Sequence, residues 1–135
     1  MDELLKALAP FNYVVQRNWQ DLPDLDPDHP DLDLFVAEED YNDCLLVTQE
    51  YGFIDLRHPS DGYYPPYISQ LMLIDRREHN GWAIPNKKAY FLSLYYHDAV
   101  HKKDNPYKTE LRRAFLDWIN PTEPDDKGVN YYGDY

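Results

Sequence analysis

Apolar residues occur along this chain in two patterns, one typical of strands and one typical of helices. Short runs rich in β-branched and aromatic residues predict strands at residues 12–17, 31–37, 53–57 and 82–84. Longer stretches with apolar residues three and four positions apart predict helices at residues 2–9, 38–50, 67–76, 87–103 and 107–119. Predicted helices and strands alternate along the chain, which indicates a domain that combines helices with a sheet.

Prolines, glycines and acidic loops separate these segments. Pro10 ends the first helix, a loop of prolines and aspartates covers 18–30, and Asn80-Gly81 turns the chain into the last strand. The break at 104–106 separates the last two helices. We therefore expect one α/β (α+β) domain over residues 1–135, with a small mixed sheet flanked by helices and a C-terminal helical hairpin. The N-terminal helix (1–10) and an irregular, tyrosine-rich tail (121–135) complete the prediction.

The composition supports a folded domain. A chain of 135 residues can bury one core, and contents of 43% hydrophobic and 16% aromatic residues argue against disorder. The net charge of -12 is uneven, because residues 21–43 carry ten acids and no Lys or Arg. Such a surface repels phosphates, so general nucleic-acid binding is disfavoured. An acidic site that recruits a cation beside basic residues is compatible with it.

The termini and the cysteine content carry little chemistry. Cys44 is a lone cysteine in an apolar stretch, so it reads as a buried hydrophobe. The first residues lack the basic segment of a signal peptide, and no segment has 18 consecutive apolar residues. We expect a cytoplasmic protein that does not contact membranes.

The strongest chemical signal is the pair Asp31 and Asp33 at the start of a predicted strand. Residues two apart on a strand face the same way, so both carboxylates share one face while Leu32 and Leu34 take the other. Two neighbouring carboxylates repel each other unless a cation lies between them. A hard divalent ion with oxygen ligands, above all Mg²⁺, relieves that repulsion.

Asp55 occupies a similar position in the next predicted strand, between Ile54 and Leu56. If it faces the same side as Asp31 and Asp33, it completes a cluster of three carboxylates. Such clusters bind the metal that accompanies a nucleoside triphosphate and activate an attacking hydroxyl. The alternative is that these acids are solvated strand ends. Asp-x-Asp recurs at 24–26 and 26–28, but only the pair at 31 and 33 leads into an apolar strand.

Several other residues admit two interpretations. His97 and His101 share one helix face and could bind zinc, or could end a helix as solvated side chains. Arg57 could pair with Asp55 or reach a substrate phosphate. Tyr63 and its neighbour could pack in the core after a turn or stack on a base or sugar.

The order of these motifs resembles a known family. The segments are Asp31–Val36, Ile54–Arg57, Asp61–Tyr64 and Tyr90–His97, followed by His101-Lys102. Together they are similar to the nucleotidyltransferase-like proteins of polysaccharide-biosynthesis loci, which belong to the polymerase-β-type superfamily. The resemblance covers roughly residues 11–115.

The resemblance implies a mixed sheet and a site for Mg²⁺ or Mn²⁺, with an NTP as one partner and a small-molecule acceptor, a sugar or sugar phosphate, as the other. The implied metal ligands and catalytic acids are Asp31, Asp33 and Asp55. The residues expected to contact the phosphates or the sugar are Arg17, Arg57, His101 and Lys102.

The sequence departs from the family at one position. The superfamily usually has a Gly-Ser or Gly-Gly turn before the aspartate pair, whereas this chain has Arg17-Asn18-Trp19 and no glycine before Gly52. Either Arg17 replaces the phosphate grip, or the protein is a catalytically degenerate scaffold. A further alternative, from another class, is a non-catalytic acidic binding protein that mimics DNA or inhibits a basic partner.

Overall fold

The structure, a computed structural model, describes residues 1–28 and 30–120. It is a mixed α+β domain. Its helices are α1 (Asp2–Leu8), α2 (Tyr41–Thr48), α3 (Pro66–Leu71), α4 (Lys87–Tyr96) and α5 (Lys108–Ile119). Its strands are β1 (Tyr13–Val15), β2 (Leu32–Val36), β3 (Ile54–Arg57), β4 (Arg77–His79) and β5 (Trp82–Ile84). The predicted fold class is confirmed, and the predicted tail (121–135) lies outside the described residues.

The main sheet has three strands in the order β1-β2-β3. Strand β1 runs antiparallel to β2, and β2 runs parallel to β3, so the sheet is mixed. The connection from β2 to β3 contains the short 3-10 turn Glu38–Asp40 and α2. Parallel neighbours need such a crossover, because both strands must begin at the same end of the sheet. The same ends of β2 and β3 therefore lie side by side.

Strand β2 is covered on both faces, which explains its continuous apolar run. Leu32, Leu34 and Val36 point into the larger core, which also contains Trp82 and Leu94. Phe35, on the other face, packs in a second core whose remaining buried members are Val14, Tyr64, Ile68, Met72 and Ala89. Asp33 shares the face of Phe35. The polar site therefore begins where the second core ends.

The helix predicted at 67–76 is wrong in its second half. Helix α3 ends at Leu71, because the Asn86 side chain donates to the carbonyl oxygens of Leu71 (3.3 Å) and Ile74 (2.6 Å). The chain then forms β4, which the polar sequence Arg77–His79 did not predict. Asn80 (φ 50°) and Gly81 (φ 88°) make the two-residue turn that pairs β4 with β5.

The helix predicted at 87–103 also changes character before it ends. Helix α4 stops at Tyr96, and residues His97–His101 form one π-helical turn. Such turns insert one extra residue per turn and re-aim the side chains around them. Helix α5 packs against α4 and completes the predicted C-terminal hairpin. Within the described residues, every helix is too short or too polar to cross a membrane.

Candidate functional site

One open cavity of about 520 Å³ lies at the start of β2 and β3. The loop after β1 and the π-helical turn after α4 form its other walls. Six of the seven residues predicted for the site line this cavity, namely Asp31, Asp33, Asp55, Arg17, His101 and Lys102. The seventh, Arg57, is paired with Asp55. Residues more than eighty positions apart in the sequence therefore meet in one place.

The two strands bring the acids together. Asp33 and Asp55 are partners in the parallel register of β2 and β3, so their backbones are about 4.8 Å apart. Asp31 precedes β2 by one residue and is exposed to solvent. Burial raises the pKa of Asp33, Arg17 lowers it, and the charges of Asp55 and Asp31 raise it further. The three carboxylates thus repel one another across the cavity.

Arg17 is the buried cation of the site, with 3% of its surface exposed. Its Nε lies 3.5 Å from Asp33 Oδ2, and its Nη2 donates to the Tyr63 hydroxyl at 2.6 Å. Its Nη1 donates to the Tyr64 hydroxyl (3.2 Å) and to Gln16 Oε1 (3.3 Å). Burial lowers the pKa of Arg17, but its contacts with Tyr64, Asp33 and Tyr63 outweigh burial and raise it. The guanidinium is therefore a fixed positive charge behind Asp33.

Arg57 holds Asp55 in a similar way. Its Nε lies 3.3 Å from Asp55 Oδ1 and its Nη2 lies 3.5 Å from Oδ2. The guanidinium carbon lies 4.3 Å from the centre of the Tyr63 ring, within the range of a cation–π contact. Tyr63 therefore touches both arginines that neutralise the acids.

Both arginines retain an unused donor. The Nε–H groups of Arg17 and Arg57 are buried and have no hydrogen-bond acceptor among the described residues, although each lies near a carboxylate. A buried donor without an acceptor costs about 1–3 kcal/mol. The neighbouring carboxylates, 3.5 Å from Arg17 Nε and 3.3 Å from Arg57 Nε, offset part of that cost.

The donor set also fits a divalent cation, although no metal site is preformed. Three carboxylates around one cavity offer the oxygen ligands that Mg²⁺ prefers. Among the described residues, however, no three His, Cys, Asp or Glu side chains are close enough to hold an ion together. Asp33 pairs with Arg17 and Asp55 pairs with Arg57 instead. The zinc interpretation of His97 and His101 likewise finds no third ligand of these types there.

His97 and His101 face each other across the π-helical turn. Their Nδ1 atoms are 3.1 Å apart, and His97 Nδ1 also lies 2.9 Å from the Tyr63 hydroxyl. Burial lowers the pKa of His97 to about 3, with the positive charges of Arg17 and Lys102 and the neighbouring His101 adding to the effect. The pKa of His101 is lowered by burial and by Arg17, Arg57 and Lys102. Both imidazoles are therefore neutral at pH 7.

The buried neutral state of His97 makes stability depend on pH. The unfolded chain protonates this histidine near pH 6.5 and the folded chain near pH 3, so the unfolded state binds more protons between these values. Stability therefore falls as pH drops below 6.5, by about 2 kcal/mol from this group alone at pH 5. Urea unfolding of wild type and His97→Gln at pH 7 and pH 5 checks this. The variant should lose about 2 kcal/mol less than wild type between these pH values, and an equal loss would contradict the assignment.

Asn18 follows Arg17 in the loop after β1 that borders the cavity. Its φ of 58° places it in the left-handed region, which Asn tolerates better than most side chains. It also lines the cavity beside Arg17. A backbone conformation usually left to glycine is therefore present without the glycine.

Six residues of the cavity were not predicted as site residues: Asn18, Asp28, Pro30, Tyr63, His97 and Tyr107. Tyr63 was left between packing in the core and stacking on a base or sugar. Its ring lies 4.3 Å from the His101 ring and its hydroxyl is hydrogen-bonded, while stacking on a ligand stays a prediction. The spacing of His97 and His101 indicated that they share one face of a helix, but not that this face points into the cavity. Tyr107 gave no signal, because only the hairpin of α4 and α5 brings it to the cavity.

Comparisons with protein-family models, with curated proteins and with solved structures gave no match to this chain.

Proposed function

We propose that this chain is a nucleotidyltransferase-like protein that binds a nucleoside triphosphate with Mg²⁺ and transfers the nucleotidyl group to a small acceptor. The observation that carries the proposal is the single cavity in which Asp31, Asp33 and Asp55 face Arg17 and Lys102. A nucleoside triphosphate with its metal carries negative charge on the phosphates and positive charge on the metal. Acidic residues beside basic residues in one cavity are complementary to that pattern.

Each charged residue then has a defined role. Asp31, Asp33 and Asp55 would hold Mg²⁺, which when bound neutralises charge on the polyphosphate. Arg17, which lines the cavity, and Arg57, which pairs with Asp55 beside it, would neutralise phosphate charge. His101 and Lys102, both exposed at the rim, would contact phosphate or sugar. The carboxylates drawn toward the arginines would be released as those arginines engage the anion.

In the proposed transfer, the acceptor hydroxyl oxygen forms a bond to the α-phosphorus. The bond between the α-phosphorus and the oxygen that bridges it to the β-phosphorus breaks. Pyrophosphate leaves with that electron pair. Asp55 positions the acceptor hydroxyl and takes its proton. A neutral sugar or a sugar phosphate meets the requirement for a hydroxyl.

The distribution of acids favours this proposal over surface mimicry of DNA. Mimicry needs acids spread along one exposed face, whereas Asp31, Asp33 and Asp55 line one cavity and two of them pair with arginines.

Calorimetric titration tests the proposal, using ATP, GTP, CTP and UTP in turn, each with and without Mg²⁺. We expect at least one NTP to bind, and to bind more tightly with Mg²⁺. The variants Asp33→Asn and Asp55→Asn should weaken that binding about tenfold or more, because each removes a carboxylate ligand.

Asp43→Asn is the matched control, because Asp43 is an exposed acid on α2 and does not line the cavity. It should leave the affinity unchanged. Absence of binding by all four nucleotides, or equal effects of Asp33→Asn and Asp43→Asn, would refute the proposal.

A further inference from the structure

Tyr63 stands at the centre of the site, although the proposed chemistry assigns it no role. Its hydroxyl contacts Arg17 Nη2 at 2.6 Å and His97 Nδ1 at 2.9 Å. Its ring lies 4.3 Å from the guanidinium carbon of Arg57 and 4.3 Å from the His101 ring. One half-buried side chain thus touches two arginines and two histidines from three separate parts of the chain.

The directions of the hydrogen bonds follow from the donors present. Arginine can only donate, so the Tyr63 oxygen accepts from Arg17. The phenol must then place its own proton elsewhere, and His97 Nδ1 is its other hydrogen-bond partner among the described residues. A bond from Tyr63 to His97 Nδ1 fixes the neutral tautomer of His97 that carries its proton on Nε2.

The tautomer of His97 limits the hydrogen bonds that His101 can make with it. A neutral imidazole nitrogen has a single lone pair, and Tyr63 fills that of His97 Nδ1. His101 Nδ1, 3.1 Å away, then finds neither a free lone pair nor a donor on His97. His101 is exposed and lines the cavity; the Tyr63 backbone carbonyl accepts from one of its ring nitrogens, and the other nitrogen can face the cavity.

We infer that Tyr63 is a positioning residue, whose hydroxyl orders Arg17 against Asp33 and fixes the tautomer of His97 so that His101 stays available to a phosphate ligand. The inference deepens the proposed function and rests on it for the identity of the ligand. The tautomer of His97 is a property of the free protein and stands independently of any ligand.

The first test is a spectroscopic one on the unliganded protein. Nitrogen-15 NMR of the histidine side chains distinguishes protonated from unprotonated Nδ1. In wild type at pH 7 we expect His97 to carry its proton on Nε2. In Tyr63→Phe, which keeps the ring and loses the hydroxyl, His97 should become a mixture of tautomers or invert. A wild-type His97 with its proton on Nδ1 would overturn the inference without using any variant.

The second test measures binding of the Mg²⁺ complex of whichever NTP binds wild type. Tyr63→Phe should weaken it about tenfold, the equivalent of one charge-assisted hydrogen bond. Tyr64→Phe is the matched control, because the Tyr64 hydroxyl also accepts from Arg17 but does not reach His97. It should leave the His97 tautomer unchanged.

These outcomes separate the two proposals. If wild type binds no NTP but shows the expected tautomer and its change in Tyr63→Phe, the function fails and the hydrogen-bond assignment holds. If wild type binds an NTP and Tyr63→Phe changes neither tautomer nor affinity, the role of Tyr63 is refuted and the function stands. Equal tautomer changes in Tyr63→Phe and Tyr64→Phe would also refute it, since they would mean that the change follows from any loosening of Arg17.

Discussion

Replacing Arg17 by Met should lower the free energy of unfolding by about 3–5 kcal/mol, because it leaves the partly buried carboxylate of Asp33 without the guanidinium that lies 3.5 Å from it. The side chain of Met keeps much of the aliphatic volume but donates no hydrogen bond. The hydroxyls of Tyr63 and Tyr64 and the amide oxygen of Gln16 each lose a donor at the same time.

A double-mutant cycle in urea separates the ion pair from the rest of this loss. Asp33→Asn removes the charge that Arg17→Met leaves uncompensated, so the double variant should be less destabilised than the sum of the single ones, by about 2 kcal/mol. Arg113→Met is the control: Arg113 is 72% exposed and pairs with Glu110 on the surface, so its loss should cost under about 1 kcal/mol. Strict additivity, or equal losses for Arg17 and Arg113, would show that the buried pair is not a stabilising element.

The positions of Asp31, Asp33 and Asp55 followed from the sequence because strand geometry is local. Alternation on a strand decides which residues share a face, and an apolar run after an acid indicates where a buried strand begins. The common flanking pattern of Leu-Asp-Leu and Ile-Asp-Leu suggested a shared face for the three acids, but the register that puts Asp33 opposite Asp55 is not local and was not predicted. The grouping of the acids could therefore be predicted, and the strand register could not.

The basic and aromatic residues of the cavity could not be predicted in the same detail. Arg17 was expected at a phosphate, but its burial behind Asp33 depends on Tyr63 and Tyr64, which come from a distant segment. The π-helical turn at His97–His101 has no local sequence signature, and it decides that both histidines face Tyr63. Strand β4 was missed for a different reason: Arg77-Glu78-His79 is polar, and only pairing with β5 makes it a strand.

The site also depends on Phe35, an apolar residue that lies outside the cavity, in the second core. Phe35 is fully buried and follows Asp33 on the same face of β2. Its ring lies 5.9 Å from that of Tyr64, whose hydroxyl bonds to Arg17 and to Gln16. Packing of Phe35 is thereby connected to the placement of the arginine.

Truncating Phe35 to Ala should lower the free energy of unfolding by about 3–5 kcal/mol, since it removes an aromatic side chain from a core that cannot fully collapse around the void. Domains of this size are stable by about 5–15 kcal/mol, so a large part of the stability is lost. Phe35→Leu, which restores most of the volume, should cost about 1 kcal/mol. Urea unfolding midpoints at unchanged slope check both values.

Phe53→Ala distinguishes loss of stability from loss of site geometry. Phe53 is half-buried and packs against the larger core on the other face of the sheet, so its truncation should leave Tyr64 and Arg17 in place. At a temperature where both variants remain folded, Phe35→Ala should weaken binding of the nucleotide that wild type binds, whereas Phe53→Ala should not. Equal affinities in the two variants would mean that Tyr64 holds Arg17 without support from Phe35, and that the site and the second core are independent.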